Sequence, residues 1–270
     1  MRMRVPLAVA TALASICLGT GARATAPPPK ERPRTETSAV DQRAKDMLAR
    51  MGDTLKVLRT FSLHEDVTRE QVINNDLKVQ KATTADVVFR RPNGLRADVV
   101  GDDDKNFSVY FDGTALTVYM PLRKYFAQLS APGTVRAALD VAESRYGVDF
   151  PGADFLRMSS GESFVKELTA AGYVGKSRVG NVECEHYAYR TPEVDYQVWF
   201  DAEGKPLPRK IVITSKKEPT QPEYVSIMTW NLSPNPVAST FVFIPPEGVT
   251  RIVFGSPPAG ATGGKGAEQK

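Results

Sequence analysis

The chain has 270 residues, with 35 basic and 31 acidic side chains and two cysteines. The pI near 9.0 says little about partners, because an N-terminal stretch that reads as a secretory signal carries Arg2, Arg4 and Arg23, and its loss leaves 32 basic residues facing 31 acidic ones. No Lys/Arg cluster interleaved with aromatics points to nucleic acid, and Cys184 alone remains in the mature part, so an internal disulfide is excluded.

The signal reading rests on Arg2 and Arg4 before an apolar run at residues 5–18 and on Ala22-Arg23-Ala24 as a cleavage site. Residues 1–24 are therefore expected to be removed during export. Fewer than about twenty apolar residues, broken by Thr11 and Ser15, make a poor membrane span. Cys17 follows Ile16, where a lipid-modified cysteine would normally follow a small residue. Pro27, Pro28, Pro29 and Pro33 mark residues 25–37 as an extended lead-in, and the Gly, Ala and Pro of residues 256–270 predict a disordered tail. Between them, residues 38–255 are of a size for one all-β or α+β domain.

Ser38 with Asp41 three residues on resembles a capping box, and Val40, Ala44, Met47, Leu48, Met51 and Leu55 fall at helical spacing. The period then changes, predicting long strands over residues 57–67 and 79–90 joined through Asn74 and Asn75. Hairpins follow, with turns at Pro92-Asn93-Gly94, 102–104, Asp112-Gly113 and Pro121, where Asn93, Gly94 and Gly113 offer positive φ. Within residues 87–120 both strand faces are apolar. Phe107, Val109 and Phe111 are opposed by Tyr110, and Leu116, Val118 and Met120 by Ala115, Thr117 and Tyr119. Helices of the protein can cover one face; the other must meet another sheet, a membrane or an apolar ligand.

Val135, Ala138, Leu139, Ala142 and Tyr146 predict a second helix, and Pro151-Gly152-Ala153-Asp154 starts a short third one through Leu156 and Met158. Strands resume near Lys166 and run to Ile244, with turns at Gly180-Asn181, Thr191-Pro192, 202–204 and 233–236. Helix, six strands, helices and about six more strands fit a single antiparallel sheet with its helices on one side.

Catalytic constellations are absent from the sequence: no nucleophile elbow, no H-E-x-x-H and no Gly-rich phosphate loop. Residues 159–163 superficially resemble a nucleophile loop, but His64 and His186 have no triad context. Cys184 and His186 share a strand face and are read as a packed thiol beside an imidazole rather than a metal or thiolate pair. Asp102-Asp103-Asp104 lacks the spacing of a calcium loop. No catalytic residue, metal or cofactor is expected. Arg91, before Pro92, offers five donors to the carbonyls of a covering helix or is a surface arginine beside a turn; the residues alone leave both open.

Three blocks, VVFRRPNGLRADV, SVYFDGTALTVYMPLRKYFAQ and STFVFIPPEGVT, resemble the LolA-like family of periplasmic lipoprotein carriers, and most of all its uncharacterised predicted periplasmic relatives. The resemblance implies an α+β fold, a LolA-like incomplete β-barrel in which a large curved antiparallel sheet is covered on its open side by helices. It implies a monomeric, non-enzymatic carrier or sensor that binds lipids or lipoprotein acyl chains in an apolar cavity under a helical lid, meeting membrane-bound donor or acceptor proteins. Arg91 matches the lid-latching arginine. The cavity lining is expected among Phe89, Phe107, Val109, Leu116, Val118, Phe126, Val198, Trp199, Met228 and Trp230, with the concave face left open. The alternative is an envelope-sensing module that binds a membrane-anchored regulator.

Overall fold

The computed structural model describes residues 39–254 apart from 75, 103–104, 132 and 147–166. The expected signal, lead-in, third helix, 159–163 loop and tail lie outside the described residues.

Asp41 caps the first helix, α1 (Gln42–Val57), its carboxylate accepting the Arg43 N–H at 2.9 Å. Ala44, Met47, Leu48, Met51 and Leu55 form its buried stripe. The helix runs on to Val57, so the strand expected from residue 57 begins only at Thr60. Six strands then follow as hairpins: β1 (Thr60–Ile73), β2 (Leu77–Arg90), β3 (Gly94–Gly101), β4 (Asn106–Phe111), β5 (Ala115–Met120) and β6 (Tyr125–Ser130). The second helix, α2 (Val135–Tyr146), buries Val135, Ala138, Leu139 and Ala142. Five more strands complete a second meander: β7 (Ala170–Val179), β8 (Val182–Arg190), β9 (Val194–Asp201), β10 (Pro208–Ser215) and β11 (Glu223–Asn231).

The two meanders join at the middle of one sheet, where β1 pairs antiparallel with both β2 and β11. One branch runs outward from β2 to β6, and the other from β11 back to β7 at the far edge. A three-residue strand, β12 (Thr250–Ile252), adds in parallel to β6. The outer strands, β12 and β7, do not pair with each other, so the fold is an incomplete β-barrel of the α+β class.

Register fixes which side chains share the inner face. Phe61 faces Phe89, Leu63 faces Val87 and Trp230, Val109 faces Val118, and Tyr187 faces Val198. These side chains and the stripes of α1 and α2 belong to one apolar cluster that reaches from β6 to β7. A flat sheet of twelve strands spaced ~4.8 Å apart could not bring all of them onto two helices; a curved one can.

The last segment departs from the expectation of strands to Ile244. After β11 the chain forms a 3-10 turn (Ala238–Phe241) and crosses the outer face as an irregular strap. Pro234, Pro236, Pro245 and Pro246 remove the N–H groups a strand ladder would need. Phe241 is 1% exposed, with the Arg90 guanidinium 4.5 Å from its ring. Phe243 lies between Tyr110, Tyr119 and Phe126, at centroid distances of 5.4, 5.2 and 5.1 Å. The second apolar face of β4–β6 is thus covered by the protein's own strap.

That strap also explains a glycine. Of the three turn residues expected at positive φ, only Gly113 has it, at +97°, and a Cβ there would come within 2.6 Å of the Asn93 side chain. Gly94 starts β3 in ordinary backbone, and its missing Cβ makes room for the Phe241 ring, 3.0 Å from where that atom would lie.

Phe241→Ala should therefore lower unfolding free energy by about 3–5 kcal/mol, and Phe243→Ala, half-buried, by less. Chemical denaturation checks both, and a loss below ~1 kcal/mol for Phe241→Ala would contradict a packed strap.

Candidate functional site

The candidate site is the inner face of the sheet together with α1, which crosses it from the start of β7 to the β2–β3 turn. With 16 residues the helix is about 24 Å long, and polar contacts hold it at both ends.

At its C-terminal end the last carbonyls of α1 have no partner within the helix. Arg91 supplies donors: Nε to Leu58 O at 3.0 Å and an η-nitrogen to Leu55 O at 3.1 Å, while the Arg91 backbone N–H donates to Arg59 O at 2.7 Å. Its guanidinium also lies 5.3 Å from the Phe89 ring centroid. A cation at this end complements the helix dipole. Burial lowers the Arg91 pKa, although arginine starts so high that it stays charged. The same turn anchors α2, whose Val135 N–H donates to Pro92 O at 2.9 Å.

At the N-terminal end, the Asp41 N–H donates to Ala171 O and the Ala171 N–H to Ala39 O, at 2.9 and 3.0 Å. Tyr189 donates its hydroxyl to Ala44 O at 3.1 Å. Arg43 stacks 3.8 Å from the Tyr173 ring centroid and donates to the Tyr187 hydroxyl at 3.1 Å and to Glu185 at 3.0 Å. Tyr187 in turn donates to Glu185 at 2.9 Å, and burial together with that carboxylate pushes its phenol up to about 12.

Eight of the ten expected lining residues share this face. Phe89, Val109, Leu116, Val118, Val198 and Met228 are buried in the central cluster, and Phe107 and Trp230 pack against it half-buried. Phe126 and Trp199 are corrections, since register turns both to the outer face. Phe126 pairs with Tyr119 and meets Phe243. Trp199 packs with Cys184 and Val212, stacks on His186 at 4.0 Å and donates Nε1–H to Ser177 at 3.2 Å. Alternation along β6 and β9 separates the faces, but not which one is concave.

The inner face also carries a carboxylate that sequence reasoning missed. Glu65 is 1% exposed and lies on β1 opposite Met228, between Leu63 and Val67. Its position in the Phe61, Leu63, Glu65, Val67 alternation is the signal that would have found it. It is the one charged side chain among the buried described residues.

The other reactive groups are held in packing. Burial, with the nearby Asp201 charge, pushes the Cys184 thiol up, and it donates weakly to Val182 O at 3.7 Å. Burial lowers the His186 pKa, and its Nε2 lies 3.0 Å from Gln197 Oε1. His64 lies on the outer face of β1, its Nδ1 2.7 Å from Asp86 and its Nε2 3.6 Å from Asp66. The Asp86 bond and the two carboxylate charges raise its pKa against a smaller desolvation effect. Asp102 accepts the Ala82 N–H at 2.8 Å as a turn residue. Among the described residues no three His, Cys, Asp or Glu side chains converge as a metal site, and no helix is long and apolar enough to cross a membrane.

Comparison with known proteins finds a family model described as a predicted periplasmic protein (DUF2092) matching residues 44–255. No curated protein matches. Among solved structures, the Mycobacterium tuberculosis lipoprotein LppX is 16% identical with a TM-score of 0.47, covering 72% of this chain and 98% of its own. An uncharacterized conserved protein from Thermus thermophilus is 9% identical (TM-score 0.46, covering 78% and 99%), and a LolA superfamily protein from Nitrosomonas europaea is 9% identical (0.38, covering 74% and 97%).

Arg91→Leu should cost about 1.5–3 kcal/mol through its charge-assisted bonds and speed amide exchange along α1 before the rest of the chain. Uniform exchange across the chain would argue against a local latch. Because the His64 pKa is raised in the folded state, its contribution is full below the unfolded value near 6.5 and is lost as pH rises through the folded one. NMR titration should place its midpoint above that of the Asp86→Asn variant.

Proposed function

Because this chain belongs to the DUF2092 family of predicted periplasmic proteins, we propose that it is a non-enzymatic carrier that holds the acyl chains of lipids or lipoproteins between its inner sheet face and α1. One feature supports the reading: of the two helices packed on the inner apolar face, α1 is tied down at its two ends by arginines, Arg91 at one and Arg43 at the other. A cover that must lift and reseat needs contacts that water can replace at small net cost.

The ligand class follows from the wall. Phe89, Val109, Leu116, Val118, Val198 and Met228 supply hydrocarbon, against which each buried methylene is worth about 0.8 kcal/mol. Release then requires a shift in the equilibrium of α1, and Arg91 sets that equilibrium through the Leu55 and Leu58 carbonyls.

Protein purified from a periplasmic fraction should release lipid on solvent extraction, retain it in native mass spectrometry and take up a fluorescent fatty acid. Arg91→Leu should exchange that probe faster. Absence of both bound lipid and uptake would remove the carrier reading, and cross-linking to one membrane-anchored regulator under those conditions would favour envelope sensing.

A further inference from the structure

The turn between β5 and β6 carries a surface that neither the sheet nor its cover uses. It lies at the end of the sheet away from Arg91, since Met120 and Tyr125 pair at the end of the β5–β6 ladder opposite Ala115 and Ser130. Leu122 in this turn is 62% exposed and Tyr125 beside it 43%. Ile244, next to Phe243 in the strap, is 78% exposed.

Three cations share the location. Arg123 and Lys124 occupy the turn, and Arg251 on β12 is paired beside Phe126 of β6. All three are exposed, and among the described residues none forms an ion pair with a carboxylate. Elsewhere on the sheet Arg190 pairs with Asp195 and Arg209 with Asp201, whereas the three cations of the tip are turned to solvent.

The surface is also preformed. The Lys124 N–H donates to Pro121 O at 3.2 Å with Lys124 at φ +53°, and the Thr250 N–H donates to Lys124 O at 2.9 Å, which ties the turn to β12. A rigid tip that alternates an aliphatic side chain, two cations and a tyrosine matches the layering of a lipid interface, where tyrosine sits at headgroup level and basic side chains meet phosphate.

We infer that the β5–β6 tip with β12 is a docking surface for anionic phospholipid membranes, Leu122 entering the acyl boundary while Arg123, Lys124 and Arg251 contact headgroup phosphates. Tyr125 pairs with Met120 on the same side as the inner-face residues, so the docked surface continues into the wall that faces α1. The inference concerns the surface alone and does not depend on what α1 covers.

The test is co-sedimentation of the purified protein with vesicles of phosphatidylcholine alone and of phosphatidylcholine mixed with phosphatidylglycerol, with no cargo added. Binding should require phosphatidylglycerol and weaken with salt. Leu122→Asp should reduce it at least about ten-fold, and R123Q/K124Q/R251Q by on the order of 100-fold, with circular dichroism unchanged. Val174→Asp, at an exposed position on β7 at the other edge, should bind as the unaltered protein does. Equal binding to both vesicles, no binding, or binding that survives both tip variants would overturn the inference. So would binding only to vesicles that carry envelope proteins, which would make the partner a protein. Docking that persists when fatty-acid uptake fails would leave this surface standing and remove only the carrier reading.

Discussion

Much of this molecule depends on the fact that its sheet is apolar on two sides and must be covered twice. The inner cover consists of the stripes of α1 and α2. The outer cover over β4–β6 is the proline-rich strap, which seats Phe241 beside Gly94 and Phe243 among Tyr110, Tyr119 and Phe126. The far half of the outer face solves the same problem with less chain, packing Cys184, Trp199 and Val212 beneath the half-exposed His186 and Lys210. The two covers are held differently: the strap meets the sheet mainly through rings, whereas α1 meets it through aliphatic side chains and a set of arginine bonds.

That difference bears on mobility. Aromatic packing is lost all at once when a ring leaves its site, whereas hydrogen bonds to carbonyls can be exchanged for water one at a time. The ends of α1 are therefore held by contacts that can be exchanged singly, and the strap is not. Arg43, with a side chain 52% exposed, is the more solvent-screened of the two arginines, and Arg91, bonded to two carbonyls under the helix end, is the more enclosed.

Local structure was legible in the sequence wherever one period governed a segment. The stripe of α1, the four buried positions of α2 and the hairpin turns of the first meander follow from spacing and turn chemistry alone. Long-range relations were not. Alternation on β6 and β9 separates Phe126 from Ala127 and Trp199 from Val198, but it carries no sign for inside and outside, so two outer-face residues entered the expected lining. Residues 232–249 contain four prolines and no period, and their role as a cover depends on a sheet face built from residues more than a hundred positions earlier. Glu65 was hidden because a charged residue in a strand is usually read as marking the solvent side. Here its neighbours at two-residue spacing mark the buried one.

The order of strands has a consequence for how the protein is made. β1 finds β2 as soon as the first hairpin exists, but its other neighbour, β11, ends at Asn231. Until then the centre of the finished sheet is a bare edge flanked by Phe61, Leu63 and Val87, with the hydrogen-bonding groups of β1 open to any extended segment that arrives first. Such long loop closure slows folding, and an open central edge invites intermolecular pairing. In a chain with this topology the sheet is closed at its centre only when the last strand of the second meander arrives.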